Sequence, residues 1–129
     1  MQTIVFFGLG SVAKVMSQCL AELSKNSPVE IIFVARNRMK ALEQLKEFSG
    51  GLMSARVVEL SDFMHPEMLP MDLGMNVTVV NTTAPDFNKV LLEFATARKY
   101  NYCDLASDIY EGSALKTHMF PQLEFDNSL

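Results

Sequence analysis

The chain has 129 residues, the usual size of one domain, and is 49% hydrophobic with 20% charged residues. That composition supports a single core and excludes a chain disordered by composition, while no apolar run approaches the roughly 20 residues of a membrane helix. A net charge of −4 argues against a nucleic-acid surface, and two cysteines are too few for a disulfide framework.

The first element, 3–7 (TIVFF), is a run of β-branched and aromatic residues that suits a strand buried on both faces. Gly8-Leu9-Gly10-Ser11 punctuates it. Val12, Val15, Met16, Cys19, Leu20 and Leu23 then recur at spacings of three and four, predicting one apolar stripe on a helix that ends at Asn26-Ser27-Pro28. A second buried strand is expected over 30–35 (EIIFVA). A helix follows over 38–48, with Met39, Leu42, Leu45 and Phe48 on its inner side and Ser49-Gly50-Gly51 as its stop. The run 55–60 (ARVVEL) predicts a weaker third strand.

Pro66, Pro70 and Gly74 forbid one long helix over 61–75, so a turn or two and a loop are expected there. The stretch 76–80 (NVTVV) predicts a fourth strand. Pro85 then stands in a helix first turn, with Phe87, Val90, Leu91, Phe94 and Ala95 facing inward. A fifth strand is expected over 102–105 and a last helix over 107–120, ended by Pro121. Alternation of this kind implies an α/β domain with a parallel sheet and crossover helices, hence a three-layer, doubly wound Rossmann-type architecture with strand order 3-2-1-4-5 across the whole chain.

Gly8-Leu9-Gly10-Ser11-Val12-Ala13 fits G-x-G-x-x-A, a permitted form of the dinucleotide fingerprint, in its required place between a strand and a helix. Gly8 allows the tight turn, Gly10 lets the backbone approach a pyrophosphate, and Ala13 lets helix and strand pack closely. The pyrophosphate then meets N–H groups at the helix N-terminus, and Ser11 could add a hydroxyl donor. The G-x-x-x-x-G-K-[ST] loop of NTPases is absent, which disfavours ATP hydrolysis.

The second strand ends Val34-Ala35-Arg36-Asn37-Arg38, without the acidic residue that binds the ribose 2′-hydroxyl of NAD. A guanidinium suits a 2′-phosphate, so NADP is expected over NAD, with Arg36 as main contact and Asn37 and Arg38 helping. Ligands of open parallel sheets bind beyond the carboxyl ends of the strands. Leu60-Ser61-Asp62, after strand three, is therefore a candidate flank for adenine, or Ser61 or Asp62 caps a helical turn there. Asn81-Thr82-Thr83-Ala84-Pro85, after strand four, is a candidate for the nicotinamide side, with Thr83 also able to cap the next helix. Asp104 orients a substrate group or caps the last helix.

Cys19 and Cys103 are expected reduced and buried, and the nine methionines are expected to fill the core. His65 and His118 lack partners at metal-ligand spacing, so no metal is expected. None of Tyr100, Tyr102 and Tyr110 is followed four residues on by lysine, which leaves out the Tyr-x-x-x-Lys pair of short-chain dehydrogenases. No complete catalytic set is present.

Over residues 3–107 the sequence resembles the N-terminal domain of the saccharopine dehydrogenase-like proteins. The likeness rests on Gly8 to Ala13, on Val34-Ala35-Arg36-Asn37, and on Val79-Val80-Asn81-Thr82-Thr83-Ala84-Pro85. It also rests on Ala97-Arg98-Lys99-Tyr100-Asn101-Tyr102-Cys103-Asp104-Leu105-Ala106. The resemblance implies a two-domain NAD(P) oxidoreductase transferring hydride at a C–N bond of an amino acid adduct. By position it gives the glycine loop to the pyrophosphate, Arg36 to the 2′-phosphate, and Asn81 to Pro85 to the nicotinamide side. A substrate domain is expected after residue 129, because 122–129 carries no stop signal. The start of the chain, which enters a strand directly, predicts no signal peptide and a cytoplasmic protein. The expected partner is a small-molecule dinucleotide, not a membrane or nucleic acid, and a homodimer is left open. The competing readings are a stand-alone nucleotide sensor of the kind that regulates potassium transport, which Arg36 disfavours, and a methyltransferase-like domain, which the Ala13 spacing disfavours.

Overall fold

A computed structural model describes residues 2–23, 25, 28–46 and 55–105. Its strands are β1 (Gln2–Phe7), β2 (Val29–Ala35), β3 (Arg56–Glu59), β4 (Val77–Asn81) and β5 (Asn101–Asp104). Its α-helices are α1 (Ser11–Leu23), α2 (Arg38–Leu45) and α3 (Asn88–Ala97), with 3-10 turns at Pro66–Met68 and Pro85–Phe87. All strand pairs are parallel, and the sheet order is β3-β2-β1-β4-β5, as the alternating pattern implies. The predicted helix over 107–120, its stop at Pro121 and the tail lie outside the described residues, as do Phe48 and Ser49-Gly50-Gly51.

The central strands are apolar on both faces because both faces are covered. Val5, Phe7, Ile32, Val34, Val77 and Val79 pack with Leu91, Phe94 and Ala95 of α3 and with Leu60, Phe63 and Leu73 of the β3–β4 connection. Ile4, Phe6, Ile31, Phe33 and Val80 form the opposite cluster, against Ala13, Met16, Leu20 and Ala21 of α1 and Leu45 of α2. Phe6, Phe7 and Phe33 are fully enclosed, and each such side chain contributes about 2–3 kcal/mol. β3 and β5 are the sheet edges and are only partly buried, in keeping with their weaker apolar patterns.

The inner face of α1 differs from the predicted stripe. Val12, Val15 and Cys19 point to solvent, at 42% and 59% exposure for the two valines. Ala13, fully buried, sets the rotation of the helix by pressing on the strands in the first turn. Ser17, one turn on, is then buried too, and tolerates burial because its hydroxyl donates to the Lys14 carbonyl at 3.0 Å. At 100° per residue, Val12 cannot share the face of Ala13.

Exposure also corrects other expectations. Cys19 and Cys103 are both exposed, not buried. Met39, Met64, Met68 and Met75 are exposed as well, while Met16 and Met71 pack against the two clusters. On α2 the buried residue is Ala41, and Met39 turns outward. α3 ends with Lys99 at φ 60°, where Tyr100 N–H reaches back to the Ala95 carbonyl at 2.8 Å and the chain turns into β5. No helix among the described residues is long and apolar enough to cross a membrane.

Candidate functional site

The carboxyl ends of the strands bring the sequence-selected loops to one edge of the sheet. The β1–α1 turn begins at Gly8, whose φ of +107° lies where side chains are strained. Gly8 N–H donates to the Val34 carbonyl at 2.9 Å, tying the turn to β2. On its other side lies the loop after β4. A Cβ at Gly8 would stand 3.3 Å from both Thr82 Oγ1 and Thr83 Cβ. Thr82 Oγ1 donates to the carbonyls of Phe7 at 3.0 Å and Gly8 at 3.3 Å, and Thr82 N–H also reaches Phe7 at 3.1 Å. The glycine turn is thus fixed from both sides.

Gly10 is different. Its φ is not in the left-handed region, and a Cβ there would meet nothing within 4 Å. Neither backbone angle nor packing therefore requires glycine at this position, and the backbone there faces open space. α1 starts immediately after it, with Lys14 N–H bonded to the Gly10 carbonyl at 3.0 Å. The N–H groups of Ser11, Val12 and Ala13 precede that first helical bond and head the helix. Ser11 and Val12 are exposed, while Ala13 belongs to the core.

A cavity of about 300 Å³ opens between this turn and the end of β2, at the small end of the range for ligand sites. Leu9, Ala35, Ala41 and Phe63 give it an apolar floor, and Arg36, Asn37, Lys40 and Gln44 give it a polar rim, with Gly8 and Thr83 at one end. Arg36 is exposed, and its guanidinium carbon lies 5.3 Å from the centroid of Phe63 and 5.5 Å from that of Phe87. Cation–π attraction at such distances restrains an otherwise mobile side chain. The two rings meet edge to face at 5.7 Å.

Asn37 lines the cavity and caps α2, its Oδ1 accepting from Lys40 N–H at 3.1 Å. Arg38 is outside the lining; its N–H donates to Glu59 Oε2 at 3.2 Å. Of the next loop, Leu60 is in the core and Ser61 is exposed. Asp62 closes a local turn by accepting from Met64 N–H at 2.9 Å, so it caps no helix. Phe63 is the residue of this loop that borders the cavity.

Lys40, Gln44 and Phe63 were not singled out by sequence. The signal for the first two is their spacing, one helical turn apart on α2. Phe63 had no comparable mark, since only the tertiary fold turns its ring toward Arg36.

Asn81, buried at 1% exposure, ends β4 and does not reach the cavity. Its Nδ2 donates to Asn88 Oδ1 at 2.6 Å and to the Ala84 carbonyl at 3.2 Å, and its Oδ1 accepts from Thr83 N–H at 2.9 Å. Its side chain therefore shapes the loop, and Thr83 is the loop residue that lines the groove. Ala84 and Pro85 are exposed beside it. Thr83 caps neither the turn at Pro85 nor α3, since neither has a side-chain cap bond.

Tyr102 hydroxyl also donates to Asn88 Oδ1, at 3.2 Å. Burial, then the Asp104 charge and a hydrogen bond with Asp104, push the Tyr102 phenol well above the ordinary tyrosine range. Tyr102 is thus a neutral donor at the carboxyl end of the sheet. His65 stands on the surface, 3.2 Å from Glu67 and 3.9 Å from Asp62. No group of three potential ligands able to hold a metal ion occurs among the described residues.

No protein-family model matches the chain, and no curated protein matches it. Among solved structures, the chain is similar to the reductase domain of the aureusimine biosynthetic cluster. The TM-score is 0.56 at 12% identity, covering 98% of this chain and 44% of that one. The chain spans less than half the length of that protein. What the two share is the fold: an α/β Rossmann-like domain with a parallel sheet in the order 3-2-1-4-5.

Proposed function

We propose that this chain is the cofactor-binding domain of an NAD(P)-dependent oxidoreductase, and that it takes NADP in preference to NAD. The observation that carries the reading is the glycine turn: the Gly10 backbone at the head of α1 is unobstructed, and Gly8 and Leu9 of the same turn line a cavity whose rim holds Arg36. A pyrophosphate fits against the Gly10 backbone and the leading N–H groups of α1, where the helix dipole favours anions. The apolar floor suits adenine, with Phe63 as its wall, and Arg36 is the contact for a 2′-phosphate. Thr83 extends the groove along β4 toward the nicotinamide side. Asn81, Thr82, Ala84 and Pro85 act by holding that loop.

The bound cofactor would supply hydride chemistry; this chain's residues bind and orient it. The fold shared with a reductase domain is consistent with that role. The resemblance to saccharopine dehydrogenase-like proteins adds a substrate class, an amino acid adduct reacting at a C–N bond, with substrate contacts supplied by a further domain.

The test is calorimetric titration of the folded chain with NADPH and then NADH. Tighter binding of NADPH is expected. Preference for NADH would remove the 2′-phosphate assignment, and binding of neither would remove the nucleotide reading.

A further inference from the structure

We infer that Lys40 is a second phosphate ligand which, with Arg36, makes a two-cation clamp selecting a 2′-phosphorylated nucleotide; this rests on the nucleotide reading above. The chain is acidic overall, with 15 acidic against 11 basic side chains. The cavity nevertheless has Arg36 and Lys40 in its lining and no carboxylate. Among the described residues neither cation is in an ion pair, although Arg36 lies over Phe63 and Phe87. Two like charges on one cavity repel each other, and an anion between them reverses the sign of the interaction.

The backbone of α2 is poorly placed to supply the countercharge instead. Arg38 N–H is taken by Glu59, Lys40 N–H by Asn37 Oδ1, and Ala41 N–H by the Asn37 carbonyl at 3.0 Å. With three of the four N–H groups from Arg38 to Ala41 occupied, side chains are the main donors for an anion at this rim. The two cations are complementary: Arg36 is a planar fork restrained by rings, and Lys40 is a compact charge on a flexible stem. A phosphomonoester carries close to two negative charges and several acceptor oxygens, enough for both. A ribose hydroxyl carries no charge and a single acceptor oxygen, so the pair discriminates between the two dinucleotides.

The experiment is calorimetry on the wild-type chain, Lys40→Gln and Lys40→Arg, with adenosine 2′-monophosphate, adenosine 5′-monophosphate, NADPH and NADH as probes. Lys40 is exposed, so both variants should fold, which urea unfolding checks. Lys40→Gln should weaken the 2′-monophosphate and NADPH by about tenfold and leave the 5′-monophosphate and NADH unchanged. Lys40→Arg should retain most of the affinity. Unchanged NADPH binding in Lys40→Gln, with wild-type preference for NADPH intact, overturns the role of Lys40 and leaves the proposed function standing. Equal weakening of all four probes overturns it too, since Lys40 would then shape the groove without reading the phosphate. No binding of any probe by the wild-type chain removes the clamp and the proposed function together.

Discussion

Gly8 and Gly10 are two residues apart in one motif, yet the structure separates their roles, and alanine substitution should expose the difference. At Gly8, alanine must adopt φ near +107°, which costs about 1–3 kcal/mol. Its Cβ also meets Thr82 Oγ1 and Thr83 Cβ at 3.3 Å. Those atoms cannot drift away cheaply, because Thr82 is bonded to Phe7 and Gly8 and Thr83 to Asn81. Shifting that loop adds roughly 1 kcal/mol of overpacking. The expected loss for Gly8→Ala is therefore about 2–4 kcal/mol, a large part of the ~5–15 kcal/mol that holds a typical domain together. Urea unfolding followed by circular dichroism should show the midpoint falling by roughly 1–3 M. Gly10→Ala places its Cβ in open space at an ordinary backbone angle, so stability should stay within about 0.5 kcal/mol of wild type. Its nucleotide affinity should collapse, because the methyl group enters the space proposed for the pyrophosphate. Equal destabilisation by the two substitutions, or full binding by Gly10→Ala, would refute the reasoning.

Three further outcomes are expected. Arg36→Asp should weaken NADPH and spare or improve NADH, because a carboxylate repels the 2′-phosphate and accepts from a ribose hydroxyl; unchanged affinities in titration would take Arg36 out of the site. Asn81→Ala leaves Thr83 N–H and the Ala84 carbonyl without their partner and should cost about 2–4 kcal/mol in urea unfolding, whereas a loss below about 1 kcal/mol would show that the loop holds its shape without Asn81. Tyr102 keeps its proton in the folded domain to higher pH than in the unfolded chain, where it ionises near 10.0. The folded state then binds the extra proton, so stability is full below pH 10.0 and declines as pH rises above it. Tyr102→Phe should flatten that decline in alkaline unfolding curves, and an unchanged slope would count against the burial of the phenol.

Fold class and topology were legible because the local signals agree. Runs such as 3–7 and 30–35 bury both faces, and between them lie segments of helical period. A parallel sheet is the arrangement that covers every such strand. The strand ends moved by one residue or so, as at β4, where Asn81 joins the ladder opposite Phe7 and Asp104. The placement of the glycine loop and of Arg36 was legible for a related reason: each stands at a strand end, which the sequence displays directly.

Helix rotation was not legible. In α1 a spacing rule favours Val12, Val15 and Cys19 as readily as Ala13 and Ser17, because both sets recur at three to four residues. Contact with the sheet decides between them, and Ala13, buried in one cluster with Ile4, Phe6 and Phe33, marks the face that α1 turns inward. Exposure of the methionines and cysteines has the same origin, since apolar character alone does not say which side an element turns inward.

The alternation of strand and helix signals thus determined, from sequence alone, the sheet order, the edge where the loops gather and the residue types at the glycine turn. Tertiary structure decided which of those residues line the groove: Thr83 and not Asn81, Phe63 and not Leu60, and Lys40 beside Arg36. The physical reason is that periodicity encodes burial averaged over an element, whereas a site depends on where single side chains from separate elements converge, and that is fixed by packing across the fold.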